Sequence, residues 1–140
     1  MKKLRVIFIC IHNSGRSQIA QGFLLKYAKD RFEVESAGIE AGTLNPLVVR
    51  AMEEVGVSME GHFAKKIDSI LAQENFFDVV ITVCDETSAE RCPMFPGDHT
   101  RIHWSFPDPS ALSGTDEEKM KGIREIRDSI EKKILEWIKT

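Results

Sequence analysis

Leu4-Arg5-Val6-Ile7-Phe8-Ile9 is apolar at every position after Arg5, without the alternation that a half-exposed strand requires. A short β-branched and aromatic run of this kind is covered on both faces, which places it inside a parallel sheet with helices on either side. It is expected to be the first and central strand. After a turn over residues 10–16, Ile19, Ala20, Phe23, Leu24, Tyr27 and Ala28 recur at helical spacing and stop near Asp30. The chain therefore opens as strand, loop and one amphipathic helix.

The same alternation continues. Residues 32–36 read as a second strand closed by Ala37-Gly38. Asn45 offers a side-chain cap, Pro46 occupies the favoured first helical position, and Gly56 stands where a left-handed terminator belongs, so a helix is expected through Val55. A short helix is expected over residues 67–73, a third buried strand over 78–83 running into Cys84, and a fourth strand over 101–106. Residues 85–99 are polar and carry Pro93, Pro96 and Gly97, which predicts a surface loop with one helical turn around residues 88–91. Ile123, Ile126, Ile130, Ile134 and Trp137 step by three and four through a long terminal helix, with Glu117–Lys121 and Asp128–Lys132 spaced to pair on its surface. Strands joined by helical crossovers give an α/β doubly wound sheet. In such folds functional groups lie beyond the carboxyl ends of the strands. Cys10, Cys84 and Pro107-Asp108-Pro109 each follow an expected strand directly.

The length of 140 residues fits a single domain, 1–140, and 42% apolar with 29% charged residues is ordinary globular composition. Net charge is −3, from 19 basic and 22 acidic residues with no long run of either sign, so no nucleic-acid footprint is visible. The strongly apolar segments, residues 4–10 and 79–84, fall far short of the ~20 residues that span a bilayer. Met1-Lys2-Lys3-Leu4 shares only its charge with a signal peptide. A cytoplasmic monomer without membrane or nucleic-acid partners is the expectation. Three cysteines in such a chain point to reduced thiols kept for chemistry.

Cys10-Ile11-His12-Asn13-Ser14-Gly15-Arg16-Ser17 places a thiol at a strand end and an arginine six positions later, at the mouth of a helix. Such a turn can aim successive backbone N–H groups inward, forming an anion cradle reinforced by the positive end of the helix. Arg16 adds a two-pronged clamp for a tetrahedral oxyanion. These surroundings favour a thiolate over a thiol. Ser17 is placed to hydrogen-bond the sulfur, Asn13 to brace the loop, and Ser14 and Gly15 to supply backbone freedom. Taken singly, Cys10 reads as a buried apolar cysteine, Arg16 as a solvated arginine and Asp108 as a turn aspartate between two prolines. Their joint placement at strand ends points instead to a site, in which Asp108 acts as general acid for a leaving oxygen.

The Cys10–Ser17 loop and the late Asp108-Pro109 pair resemble the low-molecular-weight protein tyrosine phosphatase superfamily over nearly the whole chain. Cys84, Cys92 and the His103-Trp104 pair before Phe106 look most like its thioredoxin-coupled arsenate reductases. The resemblance implies a four-stranded parallel sheet flanked by helices, phosphatase-like, with an N-terminal anion-binding loop. It implies that Ile11, His12, Asn13, Ser14, Gly15 and Arg16 hold the oxyanion and that Cys10 attacks arsenate. It further implies that Cys84 resolves the adduct as a Cys10–Cys84 disulfide, and that Cys92 then forms Cys84–Cys92, which thioredoxin reduces. Electrons come from thioredoxin, and no bound cofactor or metal is expected.

Some positions depart from the family pattern. Seven residues separate Cys84 from Cys92, Gly15 replaces a cysteine, Pro107 stands where a second acidic residue is expected, and Gln21 replaces the carboxylate that helps some members hold a monovalent cation. The alternative of a phosphatase uses the same Cys10, Arg16 and Asp108, with water resolving the adduct. Ser110-Ala111 lacks the aromatic rim that such phosphatases carry there. A remoter alternative is a zinc-binding or redox-sensing module built on Cys84, Cys92, His99 and His103, although structural zinc sites space their cysteines more closely.

Overall fold

A computed structural model describes residues 3–10, 15–38, 42–59, 62, 77–83 and 100–140. Four strands, β1 (Leu4–Cys10), β2 (Phe32–Gly38), β3 (Val79–Thr82) and β4 (Thr100–His103), form one sheet in the order β2-β1-β3-β4, with every neighbouring pair parallel. β1 is central, as its two-sided apolar run requires. The chain steps to one side of β1 for β2 and to the other for β3. The crevice beyond the carboxyl ends of β1 and β3 is therefore the topological switch point, where open α/β sheets bind ligands. Register places Cys10 beside Gly38, Ile9 beside Thr82, and Thr82 beside His103.

Alternation along β1 sorts its side chains between two cores. Val6, Phe8 and Cys10 belong to the larger one, while Ile7 and Ile9 pack with Ala37, Phe77 and Val80 in the other. The larger core also holds Ile19, Phe23 and Leu24 from α1 (Arg16–Ala28), Val48, Ala51 and Met52 from α2 (Pro46–Glu53), and Ile123, Ile130 and Ile134 from α3 (Asp116–Ile138). Cys10 thus belongs to the same apolar cluster as the helix that follows it.

α1 is not the amphipathic surface helix its apolar spacing predicts. Residues 16–24 are buried without interruption, because α1 packs against the sheet and against α2 and α3. Its two glutamines are buried with partners. Gln21 donates to the Val34 carbonyl at 3.3 Å and accepts from the Ser36 hydroxyl at 2.7 Å, while Gln18 bonds His62 Nδ1 at 3.0 Å. Paired in this way, their amides avoid the cost of an unsatisfied buried polar group.

α2 begins as expected, with the Asn45 side chain accepting from the Leu47 N–H at 3.0 Å and Pro46 at the first turn. Its regular part ends at Glu53, and a turn carries the chain to Gly56, whose φ of +78° is the left-handed conformation glycine supplies. β2 runs two residues beyond its expected end. β3 is trimmed by one residue at each end. β4 stops at His103, and only the Trp104 N–H, bonding the Thr82 carbonyl, prolongs the ladder. The physical reason is that its partner β3 itself ends at Thr82, beside His103, and that the Phe106 carbonyl is engaged by Arg16. The Thr115 side chain caps α3, and Glu118 returns to the Thr115 N–H in a capping box. The expected helix at 67–73 and loop at 85–99 lie outside the described residues. Among the described residues no helix is long and apolar enough to cross a membrane.

Candidate active site

β1 delivers Cys10 to the switch point and α1 starts six residues later, so the strand end and the helix mouth face the same crevice. Gly15 is the N-cap, and its carbonyl accepts the first helical bond from Ile19 at 2.9 Å. The first N–H groups of α1 have no partners within the helix, and its dipole adds partial positive charge at that end. Ile11, His12, Asn13 and Ser14, expected to complete the oxyanion cradle, lie outside the described residues.

Within this frame four of the expected side chains converge. Cys10 Sγ lies 2.9 Å from Ser17 Oγ, with both residues buried. When the sulfur is a thiolate it has no proton to give, so the hydroxyl must donate, and a charge-assisted bond of this type is among the stronger ones. Arg16 is only 3% exposed. Its Nη1 donates to the Phe106 carbonyl at 3.1 Å, and its Nη2 stands 3.9 Å from Asp108 Oδ2. Among the described residues the guanidinium therefore has one neutral acceptor and one carboxylate at the limit of ion-pair distance. Holding a buried guanidinium with so little compensating charge is costly unless an anion joins it. The site is thus suited electrostatically to a tetrahedral oxyanion.

Asp108 is partly exposed, with 34% of its side chain accessible, and it sits at the rim. It is held from behind, because its carbonyl accepts from the Ala111 N–H at 3.1 Å as the chain enters the short 3-10 turn Pro109–Ala111. A rim carboxyl backed by prolines can meet an oxyanion seated over Cys10 while staying in contact with solvent.

Of the six residues expected to carry the reaction, the structure brings together Cys10, Arg16, Ser17 and Asp108. Cys84 and Cys92 lie outside the described residues, though β3 ends at Thr82 beside Ile9, so the chain approaches Cys84 alongside the end of β1. Sequence reading missed the Phe106 carbonyl as an anchor for Arg16, and it missed the packing of Pro109 on Gly15. A main-chain acceptor has no residue signature, and only the proline-flanked aspartate hinted that this segment is held rigidly. Among the described residues no three His, Cys, Asp or Glu side chains gather as metal ligands. Cys84, Cys92 and His99 of the considered zinc series lie outside them.

A sequence profile described as low molecular weight phosphotyrosine protein phosphatase matches residues 5–140. The arsenate reductase of Halalkalibacterium halodurans is 42% identical over 140 residues, covering 100% of this chain and 99% of that one. Among solved structures, an arsenate reductase in the phosphate binding state matches with a TM-score of 0.76 at 26% identity, over 96% of each chain. A thioredoxin-dependent arsenate reductase of Corynebacterium glutamicum matches with a TM-score of 0.60 at 34% identity, over 95% of this chain and 62% of its own.

Proposed function

The chain belongs to the low molecular weight phosphotyrosine protein phosphatase family, and from that membership we propose that it is an arsenate reductase, converting arsenate to arsenite in the cytoplasm with electrons from thioredoxin. The observation that carries this choice within the family is the 42% identity to an arsenate reductase along the entire chain. The three cysteines at 10, 84 and 92 supply the thiols such a reaction needs.

The proposed steps join the Cys10, Arg16, Ser17 and Asp108 grouping to the cysteine relay that the family resemblance implies. Arsenate enters the crevice with its oxygens on the helix mouth and on Arg16, and Ser17 steadies the Cys10 thiolate. Cys10 Sγ attacks arsenic, and one arsenate oxygen leaves as water with a proton from Asp108. The Cys84 thiolate then attacks Cys10 Sγ. The S–As bond breaks with its electron pair passing to arsenic, so As(V) becomes As(III) and two thiolates become the Cys10–Cys84 disulfide. Cys92 attacks Cys84, expelling the Cys10 thiolate and leaving Cys84–Cys92. A dithiol reductant returns Cys84 and Cys92 to thiols by thiol–disulfide exchange and leaves as a disulfide, and thioredoxin fits this role.

The test is an arsenate assay with thioredoxin, thioredoxin reductase and NADPH, beside hydrolysis of an aryl phosphate. Arsenate-dependent NADPH oxidation should exceed aryl phosphate hydrolysis in the parent, and Cys10→Ser should abolish both. Faster phosphomonoester hydrolysis than arsenate reduction would overturn the choice of reaction and favour the phosphatase.

A further inference from the structure

We infer that Gly15 is a positioning residue for the general acid: its missing side chain seats the Pro109 ring, and through Pro109 it sets where Asp108 stands over Cys10. This rests on the acid role proposed for Asp108 and adds a determinant of its position.

Two contacts from adjacent residues hold the segment 106–109. Arg16 grips its start through the Phe106 carbonyl at 3.1 Å. Gly15 receives its end, because a Cβ placed on Gly15 would lie 3.2 Å from Pro109 Cγ, 3.5 Å from its Cδ and 3.7 Å from its Cβ. Gly15 has a φ of −148°, so left-handed geometry is not what calls for glycine here. The requirement is the close approach. The atoms in the way belong to a buried proline ring that opens the turn Pro109–Ala111, so they cannot swing aside as the end of a flexible chain would. A methyl group at position 15 must displace the ring by a few tenths of an ångström, and Asp108 is bonded directly to it. The resemblance leads one to expect a cysteine at this position. In this chain the ring takes the space that a side chain would fill.

General acid catalysis depends on reach, and displacements of about 1 Å can cost on the order of a hundredfold in rate. A shift of a few tenths is therefore expected to cost about tenfold in the first step. Single-turnover arsenate reduction is measured for the parent, Gly15→Ala, Asp108→Asn, Gly15→Ala/Asp108→Asn, Pro109→Ala and Gly15→Ala/Pro109→Ala, with reduction of the Cys84–Cys92 disulfide by thioredoxin followed separately. Gly15→Ala should lose about tenfold in the single-turnover rate. Its reduction of the Cys84–Cys92 disulfide should stay within roughly twofold of the parent, because the displaced group assists departure of the arsenate oxygen and takes no part in thiol exchange. The same substitution should cost less than about twofold in either the Asp108→Asn or the Pro109→Ala background, since pairs acting through one contact are not additive. A parental rate in Gly15→Ala, or an undiminished loss in the Asp108→Asn background, overturns the inference while leaving the acid role standing. A parental rate in Asp108→Asn overturns the acid role itself and the inference with it. If Gly15→Ala does not fold, Pro109→Ala tests the same contact from the other side. It should slow the first step in the parent and not in Asp108→Asn, and equal slowing in both overturns the inference.

Discussion

At the scale of single residues, the site rests on a sulfur and a hydroxyl 2.9 Å apart beneath the mouth of α1. A hydrogen bond to a charged group is worth about 1.5–3 kcal/mol. Ser17→Ala is therefore expected to slow single-turnover arsenate chemistry by roughly ten- to a hundredfold. Rapid-quench measurement of arsenite release checks this, and an unchanged rate removes Ser17 from the thiolate's support. The grouping of Cys10, Arg16 and Ser17 was legible in the sequence because they fall at a strand end and a helix mouth; Asp108 was legible from its flanking prolines, although β4 ends at His103, short of it. The Phe106 carbonyl was not legible, since every residue has a carbonyl and only the folded path of residues 104–109 selects this one. The contact of Gly15 with Pro109 was hidden for the same reason: it joins positions far apart in sequence through shape alone.

At the scale of elements, the caps and apolar periods that mark helices in sequence located α1, α2 and α3, but the amphipathic character expected of α1 gives way to burial throughout residues 16–24. Gln18 and Gln21 are both buried with their amides paired, and this depends on Ser36, Val34 and His62 from other elements. The strand ends shifted by one or two residues except in β4, which lost its last three expected positions because β3 ends opposite His103. The start of α3 is fixed by Thr115, whose side chain accepts from the Glu118 N–H at 3.2 Å. Thr115→Ala should cost about 1 kcal/mol in urea denaturation with activity unchanged.

Its middle is tied to α2 by Glu54, whose carboxylate meets Arg124 at 2.7 Å and Arg127 at 2.9 Å. The hydrogen bond from Arg124, aided by Arg127 and opposed by some desolvation, lowers Glu54 from its ordinary 4.5 to about 2. A carboxylate whose folded-state value is depressed adds stability above its ordinary titration range and loses it as pH falls toward the folded value. Glu54→Gln should accordingly unfold at a lower temperature than the parent at pH 7. The gap should narrow from about pH 4.5 down to about 2, and salt should shrink it. A gap independent of pH would exclude this ion pair as its source.

At the scale of the whole molecule, a parallel sheet with β1 at its centre brings the thiol of Cys10 to the switch point and ends β3 at Thr82, beside Ile9. The four-stranded α/β layout was readable from runs such as 4–9 and 78–83, because only a strand covered on both faces tolerates unbroken apolar sequence. The proposed relay needs all three cysteines in turn, and its most direct test is Cys92→Ser given excess arsenate without a regenerating reductant, followed by mass mapping of the quenched protein. The account predicts one arsenite released per chain and a stoichiometric Cys10–Cys84 disulfide. Stoichiometric arsenite release with no bond between those two sulfurs would contradict it.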